Sequence, residues 1–227
     1  MWFRKKAKQI EDEITEKNLN NIIDFTYLNP IATKRQLENF VCVAYKHNYY
    51  AVCVNPCNVR AVKEFMDIKF KRALKVVAVV GFPLGQNLAE IKVLEAKRAV
   101  ADGADEIDLT LNFGKIKDGN FREVKDEIAR VVRASKGKIV KVIIETAYLT
   151  KTEIEKTCQM AVKAKADFVM SSTGFAPDGA TPEIIEIMSN AVNKKIGVKA
   201  SGGIFSVGEA INMVRMGATR IGTSKEL

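Results

Sequence analysis

Histidine is almost missing from this chain: His47 stands alone among 227 residues, beside a single tryptophan, five prolines and four cysteines. One histidine leaves nothing for a histidine-rich metal cluster. Its setting, His47-Asn-Tyr-Tyr50 between an amphipathic segment and an apolar run, reads as a surface position. Cys42, Cys53, Cys57 and Cys158 lack the density of a disulfide framework. Cys53 and Cys57 have neither a second cysteine pair nor histidines at zinc spacing, so all four read as reduced thiols and no metal is expected. Cys53, inside an apolar run, reads as buried and inert. No apolar run approaches the length of a membrane span, and Met1-Trp-Phe-Arg-Lys-Lys6 has no apolar core behind its charges to make a signal peptide, which predicts a cytoplasmic protein. The net charge of +9 is spread along helical segments with acids among the bases, and the aromatics form no stacking pattern. No nucleic-acid partner is therefore expected. Ser/Gly-rich linkers are absent too, which predicts one domain over residues 1–227.

What is present is an alternation of short apolar runs with longer amphipathic segments. Strands are predicted near Ile22 to Thr26, Tyr50 to Asn55, Lys75 to Phe82, Glu106 to Asn112, Lys138 to Thr146, Asp167 to Thr173, Ile196 to Ser201 and Arg220 to Thr223. Eight such runs are the number a closed parallel (β/α)₈ TIM barrel requires. Between them Asn87 is placed to cap a helix, with Ala89, Val93, Ala96 and Val100 as its apolar stripe and Gly103 as its end. Further helices are predicted over Lys34 to Lys46, Phe121 to Ala134, Lys151 to Lys163, Pro182 to Val192 and Ser206 to Met216. An extra helix from Lys6 to Lys17 would cover the bottom of the barrel. The sequence stops at Lys225-Glu-Leu227, so the helix expected after the eighth strand is missing or truncated. Its loss would expose apolar surface beside strands one and eight, which a partner subunit would cover in a homodimer or where the barrel would fray.

Asp24, Asp108, Lys141, Glu145 and Lys199 all fall within apolar strands. The carboxyl ends of barrel strands meet around one pocket, and a buried charge must be paired or functional, because leaving it isolated costs several kcal/mol. Each of the five is therefore either half of an internal ion pair or part of a site.

An ordered set of motifs narrows the choice. Ile23 through Pro30, Ala51 through Pro56, Val79 through Gly85, Gly103 through Asn112, Lys141 through Thr146, Asp167 through Phe175, Val198 through Gly203 and Arg220 through Ser224 together resemble the deoxyribose-phosphate aldolases over almost the whole chain. That resemblance implies a metal-free, cofactor-free lyase, which reversibly cleaves 2-deoxy-D-ribose 5-phosphate to glyceraldehyde 3-phosphate and acetaldehyde through a lysine imine. In the family the sixth strand reads Phe-Val-Lys-Thr-Ser-Thr-Gly-Phe, and the imine lysine falls at Met170 of this chain. Phe25, Asn29 and Ser171 depart from the pattern as well, which favours natural divergence over a single engineered change. The resemblance makes Asp108 the proton-relaying aspartate and Lys199 the second lysine, whose charge would lower the pKa of the imine-forming amine from about 10.4. It assigns phosphate binding to Gly174 and Phe175, Gly202 and Gly203, and Gly222, Thr223 and Ser224, where glycines let backbone N–H groups approach an anion. The expected partner is a small phosphorylated sugar or aldehyde, with no membrane. Three readings follow for a chain with Met170: weak or absent aldol cleavage, with Lys199 as the only substitute nucleophile; a non-catalytic sugar-phosphate binder; or non-covalent chemistry by Asp108 and Lys199 on a related phosphate.

Overall fold

The computed structural model describes residues 14–70 and 74–227. Eight strands close into a parallel barrel in sequence order, with β1 paired to both β2 and β8. The order is β1 Ile23–Tyr27, α1 Lys34–Lys46, β2 Ala51–Val54, α2 Val59–Lys69, β3 Lys75–Val80, α3 Ala89–Ala101, β4 Glu106–Thr110, a short α4 Phe113–Lys117, α5 Phe121–Ala134, β5 Ile139–Ile143, α6 Lys151–Lys163, β6 Phe168–Met170, α7 Pro182–Val192, β7 Gly197–Ser201, α8 Val207–Arg215 and β8 Arg220–Thr223. The expected eight-stranded barrel is the observed one, and every strand falls where the apolar runs predict it. None of the described helices is long and apolar enough to cross a membrane.

Local chemistry accounts for the helix starts. Thr33 with Gln36 and Thr150 with Glu153 form capping boxes for α1 and α6, and Thr181 caps α7 with Pro182 behind it. Helix α2 is absent from the sequence-based expectations because no side chain caps its start; it grows out of a 3₁₀ turn at Pro56–Asn58. Helix α3 corrects one of them: its N-cap is Leu88 rather than Asn87. Of the expected stripe, Ala96 is buried and Val93 and Val100 are partly buried against the core, while the most buried line runs through Lys92, Ala96 and Ala99. Apolar residues lie almost all round this helix, so periodicity alone finds the flank of the buried face rather than its centre. Buried Lys92 donates to the Thr110 carbonyl at 2.9 Å and to Glu127 at 2.9 Å, while Glu95 accepts the Gly81 N–H at 2.7 Å. These bonds tie α3 to the ends of β3 and β4. Burial pulls the Lys92 amine down from its ordinary pKa against the opposing pull of Glu127.

The predicted helix from Lys6 to Lys17 lies mostly outside the described residues, and within them residues 14–17 are not helical. Among the described residues no helix follows β8; a turn there leads to Leu227, whose N–H donates to the Tyr49 hydroxyl at 3.0 Å. The apolar surface expected to be exposed beside β1 and β8 is instead covered: Ile23, Phe25 and Ile221 are buried, and Phe25 stacks on Phe40 at 4.7 Å. His47 sits at the end of α1 with its Nε2 3.3 Å from Glu226, away from the carboxyl ends of the strands.

Outward-facing strand residues such as Val52, Val76, Ile107, Val142 and Val198 pack under the helices in one continuous core. The barrel interior is divided. Ala51, Cys53, Val77 and Val79 make a small apolar cluster on the β2–β3 side, β6 contributes Phe168 and Met170, and β1, β4, β5, β7 and β8 send charges inward. In this crowded space Gly197 has no room for a side chain, because an added Cβ would run into the Phe168 ring. Gly197→Ala should therefore lower stability by about 1–3 kcal/mol, read as a fall in the urea midpoint at unchanged slope.

Candidate active site

Six ionisable side chains converge inside the barrel: Asp24 from β1, Glu106 and Asp108 from β4, Lys141 from β5, Lys199 from β7 and Arg220 from β8, all buried. Strand alternation brings them to one side. Glu106 and Asp108 are two apart on β4, and the register sets Asp108 beside Lys141 and Lys199 beside Arg220. The Lys141 ammonium lies 2.6 Å from Glu106, 2.8 Å from Asp108 and 3.4 Å from Asp24. Lys199 lies 2.7 Å from Asp24 and 2.7 Å from Asp108. Arg220 reaches Asp24 at 2.8 Å and Glu106 at 2.9 Å, and its guanidinium stands 3.9 Å from the Tyr50 ring. Three carboxylates face three cations, so the set is neutral as a whole.

This arrangement decides the protonation states. Burial opposes charge on both lysines, but Asp108 and Asp24 outweigh it and hold Lys141 and Lys199 above the ordinary lysine range. Burial would raise the Asp24 carboxyl; Arg220, Lys141 and Lys199 overcome it and hold the group well below its usual value. Lys199 is therefore a firmly protonated ammonium, the opposite of what a nucleophilic amine needs. Cys53, with Sγ 4.0 Å from Asp108, is buried as expected, and burial pushes its thiol up to about 12.

Met170 ends β6 in register with Lys199 on one side and Ile143 on the other, and is 5% exposed. Phe168, two residues earlier, points at Gly197 and Arg220, so Met170 shares that inward face.

Above this layer opens a cleft of about 350 Å³. Gly174, Phe175, Gly202, Gly203, Gly222, Thr223 and Ser224 all line it, together with Thr26, Asn29, Ser201 and Phe205. Asp108, Met170 and Lys199 lie beneath and are not among its lining residues, and no charged side chain of the described residues lines it. The seven loop residues differ in what they offer. The Gly174 N–H donates to Ser172 Oγ at 3.2 Å and the Phe175 N–H to Thr173 Oγ1 at 3.1 Å, so both point inward. Gly222 provides clearance, because a Cβ there would meet Lys199 Cε at 2.9 Å and Ser201 Oγ at 2.7 Å. Gly203, at φ +76°, faces open space.

Glu145, read from the sequence as a strand charge, has no cationic partner among the described residues. Its backbone is left-handed, at φ 52° and ψ 74°. Its buried carboxylate accepts from Ser172 Oγ at 2.5 Å, from the Thr173 N–H at 3.1 Å and from the Thr173 hydroxyl. It thus organises the loop after β6 through the two hydroxyls that receive the Gly174 and Phe175 N–H groups. Glu106 and Arg220 also escaped the sequence reading as site residues. The signal that could have found them was alternation: Glu106 shares a face with Asp108, and an arginine opens an otherwise apolar strand.

The profile described as DeoC/LacD family aldolase matches residues 19–224. The chain belongs to that family. Among relatives of this DeoC/LacD-type barrel, the deoxyribose-phosphate aldolase of Thermococcus gammatolerans is 48% identical over 204 residues, covering 89% of this chain and 90% of the relative. That of Clostridium perfringens is 44% identical over 213 residues, covering 93% and 94%. Among solved structures, an aldolase called QR15 superposes with a TM-score of 0.87 at 39% identity, covering 91% of both chains. The deoxyribose phosphate aldolase of Aeropyrum pernix, described as having a unique tetrameric structure, superposes with a TM-score of 0.86 at 30% identity, covering 96% of this chain and 92% of the other.

The interior network carries a pH signature. Asp24 is held below its ordinary 3.8 in the folded protein, so its contribution is fully present above about pH 4 and is lost as pH falls through the folded value. Asp24→Asn leaves Lys199 and Arg220 short of a carboxylate and should cost about 3–5 kcal/mol at neutral pH. Urea unfolding between pH 2 and pH 7 should show the acid limb of the stability profile flattened in the variant.

Proposed function

We propose that this chain binds a short phosphorylated aldose or aldehyde of the 2-deoxy-D-ribose 5-phosphate class in the cleft above β6, β7 and β8, and that imine turnover in it is weak or absent. The protonation state of Lys199 carries this reading. In the resemblance the nucleophile belongs at position 170, where methionine has no amine, and the neighbouring Lys199 is locked between Asp24 and Asp108 at 2.7 Å each. Freeing its lone pair means deprotonating an ammonium held by two buried carboxylates. The names of the relatives support the substrate class, the loops after β7 and β8 supply neutral hydrogen-bonding groups for the phosphate, and the loop after β6, with its Gly174 and Phe175 N–H groups turned inward, walls the cleft. The four unpaired thiols fit a reducing, cytoplasmic compartment. We also read the chain as a homo-oligomer of at least two copies, as the description of the Aeropyrum pernix relative supports.

The same ammonium favours one second reading. A fixed Lys199 cation is suited to polarise a carbonyl while Asp108 moves a proton, which would isomerise a sugar phosphate without an imine.

Borohydride reduction separates these readings, because it converts only an imine into a stable adduct. Wild-type protein incubated with deoxyribose 5-phosphate or acetaldehyde and then reduced should carry no added mass. Met170→Lys, which sets an amine beside the Lys199 cation, should gain an adduct at position 170 and aldol cleavage with it. A wild-type adduct on Lys199 would overturn the reading, and isomerised sugar phosphate without any adduct would establish the second one.

The Glu145 clamp gives an independent check on binding. Glu145→Gln should weaken deoxyribose 5-phosphate about tenfold, or roughly 1.4 kcal/mol, and leave unphosphorylated deoxyribose unaffected in calorimetry. An equal loss for both ligands would remove the loop after β6 from phosphate recognition.

A further inference from the structure

Bases gather on one sector of the barrel at the end opposite the cleft. Arg133 lies in the last turn of α5, with Lys136 and Lys138 just beyond it. Lys163 ends α6 and Lys165 follows; Lys194 and Lys195 occupy the turn after α7. All of these side chains are exposed. The three helices are consecutive and pack side by side. Neighbouring helix axes lie about 8–10 Å apart, so the three turns span roughly 20 Å. Nearby acids do not offset the bases. Asp167, the one acid in these turns, is half-buried and accepts the Val140 N–H at 2.9 Å. Asp105, just before β4, accepts the Val76 N–H at 3.1 Å and comes no nearer to Lys138 than 3.8 Å.

Helix ends attract cations in their last turn, which accounts for Arg133 and Lys163. It does not account for the lysines beyond the helices. Lys136, Lys165 and Lys194 hold left-handed backbone at φ 50°, 64° and 53°, where a side chain is unfavourable and glycine is usual. The turns after α3 and α8 do use glycine there, Gly103 and Gly217. Three successive turns thus carry a positive charge where the backbone alone would favour glycine, and these turns are neighbours.

We propose that this basic rim binds the phosphate backbone of a nucleic-acid duplex without reading its bases. The expectation of no nucleic-acid partner rests on bases strung along the chain with acids among them; barrel closure brings these bases onto one face. None of the exposed large apolar or aromatic side chains of the described residues lies in the three turns. The rim therefore has nothing to insert into a bilayer and no ring to stack on unpaired bases. What it offers is a row of long cationic side chains, and a duplex presents one charge per ~1.7 Å of its axis.

Fluorescence anisotropy of a labelled DNA duplex of about 20 base pairs, titrated with the full chain, tests the rim. Binding should be micromolar at about 50 mM salt, and about four phosphate contacts should give log K against log salt a slope of about −4. The triple variant Lys136→Gly, Lys165→Gly, Lys194→Gly suits the left-handed backbone, so its urea midpoint should be unchanged or higher. It should bind at least about thirtyfold more weakly, with the slope reduced to about −1. Lys34→Gln, Arg122→Gln and Lys151→Gln together remove equal charge from helix starts on the cleft side and should have little effect. No duplex binding at low salt, or equal losses in the two triple variants, would overturn the proposal. Tighter binding to phosphatidylcholine–phosphatidylserine vesicles than to the duplex would overturn it in favour of a lipid surface.

Discussion

Charge neutrality inside the barrel is the constraint on which the rest depends. Six ionisable groups from five strands are buried where water cannot screen them, and none is tolerable alone. Asp24 touches all three cations, and Lys141 all three carboxylates. The strands that supply them must therefore hold a common register, and the barrel cannot relax around the loss of one member without stranding another. The apolar cluster on the β2–β3 side is the complement: it fills the half of the interior that the charges leave free.

The same constraint sets the chemical character of the layer under the cleft. An inward-facing methionine adds no charge, so the balance of three against three stands with Met170 in place. It also leaves Lys199 with carboxylates as its only close ionic neighbours apart from Lys141, which stabilises the ammonium. An additional inward lysine would bring a fourth cation against three carboxylates, and one amine would be pressed toward its neutral form. What position 170 controls is thus less the shape of the interior than its proton inventory.

Much of this was legible in the sequence. Eight apolar runs marked the strands because a parallel sheet buried on both faces cannot hide its hydrophobicity. Asp24, Asp108, Lys141 and Lys199 stood out because charges are rare in such runs. What escaped detection shares one physical cause, namely that partners come from distant strands. Glu106 and Arg220 meet only after the barrel closes, and nothing near Glu145 in the sequence says that its carboxylate serves hydroxyls at Ser172 and Thr173. Helix α3 was legible only in part, for a different reason. Apolar residues on its solvent side blur the periodic signal, and the buried lysine at position 92 runs against any hydrophobicity count.

The cleft and the ionic layer beneath it are built from different materials. The upper part is a ring of uncharged residues, glycines and hydroxyl-bearing side chains with Phe175 and Phe205 among them; the lower part is a knot of titrating side chains. Only two residues of this account bridge them: Gly222, which gives way to the Lys199 stem, and Ser201, two positions beyond Lys199 on the same strand. Such a division makes recognition and reactivity separately heritable. Substitutions below can change what happens to a captured molecule without altering which molecule is captured, so a lineage of these barrels can exchange its chemistry while keeping its clientele.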